Sequence, residues 1–199
     1  MTPSSPPILA DLIGFTSIAL VALITLLLGL RWKKISNILL IALLIRIILI
    51  LLGHYVVTLP DSQLDAVSFE SKGWVISEAG FLNVLKSFHG PSPQILSWLI
   101  AIPYSLFGRS ILLAQSMSLL MGIFCIVLGW KVATLIWEKH AAKKVAWTIA
   151  LFPSLILYSI LTMREVYICF FILIGVYGVI IWYKNKQFKS LILALFGFA

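Results

Sequence analysis

Long apolar runs alternate with short polar segments along this chain, and most of the runs are as long as a membrane-spanning helix. An α-helix rises about 1.5 Å per residue, so roughly 20 apolar residues cross the hydrocarbon of a bilayer. Runs of that length cover residues 8–30, 35–57, 110–135, 145–162 and 166–183. The pattern predicts an all-α fold, a polytopic transmembrane helix bundle.

A last apolar run begins at residue 190 and continues to Ala199. Ten helical residues rise about 15 Å, which is half of a membrane. We interpret this run as a partial span. We therefore expect the sequence to be the N-terminal part of a longer protein.

The longest polar stretch, residues 58–92, separates the second run from the third. It carries four of the seven acidic residues of the chain, Asp61, Asp65, Glu70 and Glu78. Ser62 and Asp65 have the spacing of a helix start, and apolar residues recur at helical spacing between 81 and 88. We expect this external acidic loop to form two short interfacial helices at the membrane surface.

Residues 93–107 are apolar but short, and Pro103 interrupts them. We predict an interfacial or re-entrant segment here, because a helix of this length does not cross the hydrocarbon. Without a crossing, all the clusters of basic residues fall on one side of the membrane, as the positive-inside rule requires. These clusters are Arg31, Lys33 and Lys34; Lys131, Lys139, Lys143 and Lys144; and Lys184, Lys186 and Lys189. Asp65 and Arg164 then share the opposite side.

The composition supports the same class of protein. Hydrophobic residues make up 61% of the chain and charged residues 11%, and the mean hydropathy is +1.08. The net charge of +8 would suggest nucleic acid as a partner of a soluble domain. Here the cations lie in short loops between spans, so we expect membrane lipids and no nucleic acid as partners. The predicted location is an integral, multi-pass membrane protein, in the plasma or inner membrane of a bacterium or the endoplasmic reticulum of a eukaryote.

Several polar residues are candidates for chemistry. Asp61 and Asp65 are one helical turn apart, so both carboxylates face the same way if this stretch is helical. The alternative is a capping box, in which Ser62 and Asp65 cap an interfacial helix. Arg46 lies near the middle of the second span, where we expect it to face other helices, with a snorkelling side chain as the alternative. We interpret His89, like the other histidines, as a hydrogen-bonding residue, because no second His or Cys stands at metal-ligand spacing.

Three motifs follow one another along the chain. They read Leu59-Pro-Asp-Ser-x-x-Asp-Ala-x-x-Phe-Glu, Gly90-Pro-Ser-Pro…Tyr104-Ser-Leu-Phe-Gly-Arg-Ser and Ala150-Leu-Phe-Pro-Ser…Thr162-Met-Arg-Glu. Their order and spacing resemble the polytopic membrane glycosyltransferases of the GT-C class, the group that includes protein mannosyltransferases and the aminoarabinose transferases of lipid A. The resemblance covers roughly residues 35–183. It implies a transmembrane module over 35–199, with 1–34 as an extra N-terminal span and basic loop.

The resemblance implies transfer of a sugar from a polyprenyl-phosphate-linked donor to an acceptor hydroxyl at the external face. Asp65 best matches the catalytic acid of the family, although Ala66 stands where a Glu is usual. Asp61 or Glu70 is then the candidate for a second carboxylate, and a divalent cation at the acidic loop is a further possibility. The residues implied to bind the substrate are Arg164, Glu165, Glu70, Lys72 and His89.

Two other functions stay open at this point. A transporter or flippase-like protein would use Arg46 and the acidic loop to line a substrate path. An inactive, truncated membrane subunit would explain the partial span at the end of the sequence.

Overall fold

The computed structural model of the chain describes residues 7–88, 90, 92 and 94–198, which form ten α-helices and no β-strand. The helices are α1 (Pro7–Arg31), α2 (Ser36–Tyr55), α3 (Leu64–Ser77), α4 (Phe81–Lys86), α5 (Ile95–Phe107), α6 (Ile111–Ile136), α7 (Lys139–Leu151), α8 (Pro153–Ile160), α9 (Glu165–Asn185) and α10 (Phe188–Phe198). The predicted all-α helix bundle is confirmed.

Among the described residues, four helices are long and apolar enough to cross a membrane, namely α1, α2, α6 and α9. The central helix is α6, which packs against α1, α2, α7, α8 and α9. The outer helices leave large apolar side chains such as Leu23, Leu44 and Ile172 exposed. This is the surface expected of helices that contact lipid, since hydrocarbon chains cover such side chains without cost.

The stretch 145–162, predicted as one continuous span, is broken. The α7 helix begins earlier, at Lys139, and it meets α8 at a bend of 54°. Proline causes the break because Pro153 has no N–H to donate and its ring clashes with the preceding turn. Phe152, the residue before it, adopts an extended conformation (φ −66°, ψ 119°), as residues before proline prefer.

The α5 helix has 13 residues, fewer than the roughly 20 that cross the hydrocarbon of a bilayer. It lies along α3, where a Cβ added to Gly73 would come within 2.9 Å of Ile100. Near its start, the indole of Trp98 donates a hydrogen bond to the Val84 carbonyl, 2.7 Å away. Near its end, Tyr104 contacts Glu70 of α3. Both halves of α5 therefore remain beside the helices of the acidic loop.

The bundle has two chemically different ends. At one end, which we call the acidic end, the Thr162 hydroxyl donates a hydrogen bond to the Ala66 carbonyl, 2.8 Å away. At the other, the basic end, Lys34 and Lys143 line one cavity. The helices α1, α6 and α9 run from the acidic end to the basic end. Asp65 and Arg164 thus lie at the acidic end of the bundle, and Lys34 and Lys143 lie at the basic end.

Candidate functional site

A cavity of about 310 Å³, lined by both polar and apolar residues, opens at the acidic end. It lies between the end of α2, the segment before α3, the face of α3 and the start of α6. Its lining residues are Gly53, His54, Thr58, Ser62, Gln63, Ala66, Val67, Glu70, Arg109, Ile111, Gln115, Leu161 and Thr162. Hydroxyl, amide and charged groups thus meet where the apolar bundle ends.

An ion pair forms one wall of this cavity. Glu70 lies on the buried face of α3, and Arg109 follows Gly108, whose positive φ of 93° is accessible to glycine. Arg109 Nε donates to Glu70 Oε1 at 2.9 Å, and Nη2 donates to Oε2 at 2.7 Å. Two parallel bonds of this kind fix the orientation of both groups. The guanidinium also lies 6.0 Å from the centre of the Trp74 ring, within cation–π range.

Tyr104 also contacts the carboxylate of Glu70. Its hydroxyl lies 2.9 Å from Glu70 Oε1 and 2.9 Å from the Ser110 carbonyl oxygen. Burial, and next the negative charge of Glu70, raise the pKa of Tyr104, so the phenol keeps its proton and donates it. Both oxygens of Glu70 are therefore occupied by donors of the protein. The carboxylate positions Arg109 and is poorly placed to accept a proton from a substrate.

Gln115 on α6 adds an amide to the cavity. Its residue surface is 8% exposed, and its Oε1 is buried without a hydrogen-bond partner among the described residues. An amide oxygen in this condition is destabilising unless a ligand or water donates to it. Gln115, Arg109 and Tyr104 were not predicted as site residues from the sequence. The available signal was a polar residue inside an apolar span, which often marks a functional position.

The two candidate catalytic acids do not share a helix face. Helix α3 starts only at Leu64, and Asp61 lies before it in a left-handed conformation with φ 59°. The predicted capping box is wrong, because the Ser62 hydroxyl donates to the Leu59 carbonyl at 2.6 Å instead of capping the helix. Asp65 lies exposed in the first turn of α3, where its charge is favourable beside the helix N-terminus.

The second charged segment lies close to the first. Arg164 and Glu165 form a loose ion pair, with 3.8 Å between Arg164 Nε and Glu165 Oε1. The hydrogen bond from Thr162 to Ala66 connects this segment to the residue that follows Asp65. Asp65 and Arg164 therefore lie on neighbouring segments, next to the lining residues Ala66 and Thr162, but neither of them lines the cavity itself.

Lys72, another predicted substrate-binding residue, is not part of this arrangement. Lys72 is exposed on α3. A helix turns about 100° per residue, so the side chains of Glu70 and Lys72 are rotated by about 200° relative to each other around the helix axis. Lys72 therefore faces away from Glu70 and from the cavity. His89 lies outside the described residues.

A second polar site lies inside the bundle, around Arg46. Its side chain is buried, with 1% of the residue surface exposed. Arg46 Nε donates to the Ser159 hydroxyl at 2.7 Å, and Nη1 donates to the carbonyls of Ala150 at 3.0 Å and Ala42 at 3.2 Å. The prediction that Arg46 faces other helices is confirmed.

In the part of the chain that the structure describes, no group of three or more His, Cys, Asp or Glu side chains could hold a metal ion. Comparison of the chain with protein-family models, with curated proteins and with solved structures finds no match.

Proposed function

We propose that the acidic end is part of the active site of a membrane glycosyltransferase that uses a polyprenyl-phosphate-linked sugar. The observation that carries the proposal is the hydrogen bond between Thr162 and Ala66. Both residues line the cavity, and they are close in sequence to an exposed acid, Asp65, and an exposed cation, Arg164. The order of motifs along the chain supports the same function.

Asp65 is the proposed general base. In the reaction it takes the proton of the acceptor hydroxyl while the acceptor oxygen forms a bond to the anomeric carbon. The bond between that carbon and the phosphate oxygen breaks, and polyprenyl phosphate leaves with the electron pair. Arg164 is placed to stabilise the negative charge of the leaving phosphate. Asp61, also exposed at this end, is the alternative base.

The cavity is the proposed site for the sugar. Ligand pockets in proteins measure about 300–1,000 Å³, and the volume here, about 310 Å³, suits a single sugar ring. Gln115 and the hydroxyls of Thr58 and Thr162 offer the neutral hydrogen-bonding groups that a sugar needs. Arg109 forms part of the cavity wall, and its two hydrogen bonds to Glu70 fix its orientation.

The four long apolar helices indicate a membrane protein. Beyond that, we propose that the acidic end is external and the basic end cytoplasmic, following the positive-inside rule. Single cysteines at Gln63, Arg164 and Lys143 in a variant without other cysteines test this arrangement with an impermeant thiol reagent on sealed vesicles. Positions 63 and 164 should react from one side and position 143 from the other. Reaction of 63 and 164 from opposite sides would contradict it.

The function is tested by transfer of a radiolabelled sugar from its polyprenyl phosphate to endogenous acceptors in membranes that contain the full chain. Asp65→Asn removes the basic carboxylate and keeps the size of the side chain. We expect turnover to fall about 10²–10⁴-fold with an unchanged amount of folded protein. Glu78→Gln, which neutralises another exposed acid of the same loop, is the matched control.

Two outcomes would contradict this assignment. Loss of turnover in Asp61→Asn with near-normal turnover in Asp65→Asn would make Asp61 the base. Normal turnover in both variants would remove the acidic loop from the chemistry.

Transport is the second candidate, and the broken helix pair α7–α8 favours it. Discontinuous helices in transporters expose backbone groups that bind substrates. Here the carbonyl of Ala150 at the break accepts a hydrogen bond from Arg46, so it is occupied by the protein itself. Uptake of a polyprenyl-phosphate sugar into proteoliposomes without sugar transfer would favour transport.

A further inference from the structure

A second cavity lies at the basic end, far from the proposed active site. It has a volume of about 430 Å³ and is lined by Lys34, Trp130, Thr134 and Lys143. Lys34 comes from the connection between α1 and α2, and Lys143 comes from α7. The remaining two residues are one turn apart on α6. Three separate parts of the chain thus converge on one opening.

The charge of this region is strongly positive. The basic residues near this end of the chain's helices are Arg31, Lys33, Lys34, Lys131, Lys139, Lys143, Lys144, Lys184, Lys186 and Lys189. Glu138 is the one acidic residue among them in the sequence. Within the described residues, neither Lys34 nor Lys143 forms an ion pair with a carboxylate. Two ammonium groups at the rim of a cavity without a carboxylate favour an anionic ligand.

Aromatic side chains place the cavity at the level of lipid headgroups. Trp130 packs against Trp32 with 6.4 Å between ring centres, and the Lys131 ammonium lies 4.6 Å from the centre of the Trp32 ring. Tryptophans gather where hydrocarbon meets the polar surface of a membrane. Leu30 and Ile136, near the same helix ends, are exposed apolar residues. Cationic side chains and exposed apolar side chains therefore occur near the same helix ends.

We propose that this cavity binds the headgroup of an anionic phospholipid, with the phosphodiester between Lys34 and Lys143. The acyl chains lie along the exposed apolar ends of α1 and α6. A soluble anion would use the two lysines alone, whereas a lipid also uses the apolar surface beside them. Basic pockets between transmembrane helices on the cytoplasmic side recognise lipid headgroups in this way. The site is independent of the proposed transferase reaction.

The test uses the full chain, purified in a neutral detergent. Native mass spectrometry measures the affinity for dioleoyl phosphatidylglycerol and dioleoyl phosphatidylcholine, and thermal unfolding measures stabilisation by each lipid and by inorganic phosphate. We expect phosphatidylglycerol to bind more tightly and to raise the melting temperature most. A lysine near an anionic membrane surface contributes about 1 kcal/mol, so Lys34→Gln with Lys143→Gln should weaken phosphatidylglycerol binding about 30-fold.

The control pair is Lys33→Gln with Lys144→Gln. It removes the same charge from the neighbouring positions, which are exposed but do not line the cavity. We expect this pair to weaken phosphatidylglycerol binding by less than about 3-fold, because it lowers only the overall positive potential around the cavity and removes no contact within it. The single variants Lys34→Gln and Lys143→Gln replace the double variant if it does not fold, and each should lose about 5-fold.

Three results would overturn the proposal. Equal losses in the cavity pair and the control pair would show diffuse attraction without a site. Equal affinity for phosphatidylcholine would remove the role of charge. Stabilisation by inorganic phosphate as large as that by phosphatidylglycerol would make the ligand a soluble anion.

Discussion

Arg46 and Arg109 are both held by several hydrogen bonds, but their surroundings differ. Arg46 lies inside the bundle and donates to a hydroxyl and two carbonyls. Arg109 lies at the acidic end, pairs with the carboxylate of Glu70, and keeps 35% of its side chain exposed. The first guanidinium is enclosed by the helices that it joins, while the second borders a cavity. The role of an arginine in a membrane protein therefore depends on its hydrogen-bonding partners and on whether water or a ligand can reach it. Arg46 and Arg109 differ in both respects.

The difference has an energetic basis. A charged residue at the centre of a membrane helix costs about 2.5–3.5 kcal/mol to insert. Arg46 is in the bilayer whether or not the helices have packed. The insertion cost is therefore largely the same for the unpacked helices and for the packed bundle. Packing then adds hydrogen bonds to Ser159 and Ala150. Arg109 sits near water, where a charge is less costly and a ligand can approach.

The largest expected effect is on the stability of the bundle, through Arg46→Leu. The substitution removes three hydrogen bonds and leaves the hydroxyl of Ser159 and the Ala150 carbonyl without their donor. We expect a loss of about 2–4 kcal/mol of folding free energy. Thermal unfolding in detergent measures it, with Leu44→Ile on the exposed face of the same helix as control. A variant as stable as the parent would remove the structural role assigned to Arg46.

Glu70→Gln tests the other arginine. It replaces the charged partner of Arg109 with a neutral amide but still allows the bond from Tyr104. Because Arg109 is partly exposed and can be hydrated, we expect a smaller loss of about 1–2 kcal/mol. Sugar transfer should nevertheless decrease about 10-fold or more, since the cavity wall loses its orientation. Unfolding and transfer assays on the same preparation separate the two effects, and a loss of stability equal to that of Arg46→Leu would contradict the comparison.

Gln115→Leu should change stability and function in opposite directions. Replacing a buried amide that lacks a partner by an apolar side chain is expected to stabilise the protein by about 1 kcal/mol. If the cavity holds the sugar, transfer should decrease about 10-fold. The control is Ser97→Ala, because the Ser97 hydroxyl is also buried and unpartnered among the described residues but does not line this cavity. An unchanged rate in Gln115→Leu would remove Gln115 from substrate recognition.

Tyr104→Phe should have the smallest effect. Glu70 keeps both bonds from Arg109, so only one neutral donor is lost. We expect about 0.5–1.5 kcal/mol of destabilisation and a modest decrease in transfer. Double-mutant analysis with Glu70→Gln measures the coupling between the two side chains. Strictly additive effects would show that the hydroxyl does not support the carboxylate.

The parts of the fold that follow from local composition were predictable. Run lengths defined the long helices, and the short run with Pro103 defined α5. The break at Pro153 was harder to predict, because the length of an apolar run does not indicate where its backbone bends. The failed capping box has a local cause, since the Ser62 hydroxyl finds the carbonyl of Leu59 first.

The candidate site depended on contacts that no local pattern contains. Glu70 and Arg109 are 39 residues apart in the sequence, and only the path of α5 brings them together. Gln115 is one amide in an apolar helix, and its missing partner is visible only when its neighbours are in place. Charge parity along the chain predicts only that Asp65 and Arg164 share one side of the membrane, and it gives no information on individual contacts.

The break between α7 and α8 also has a consequence for how the protein is made. Helices of 13 and 8 residues are each too short to cross the bilayer alone. The ribosome delivers α2 first, so Arg46 enters the membrane with only the Ala42 carbonyl of its own helix as an acceptor. We expect the later pair to be retained when Arg46 captures the Ala150 carbonyl and the Ser159 hydroxyl. The Arg46 guanidinium then has acceptors on α7 and α8, and the Ala150 carbonyl and the Ser159 hydroxyl have a donor. We therefore expect α2 to be inserted before α7 and α8 pack against it.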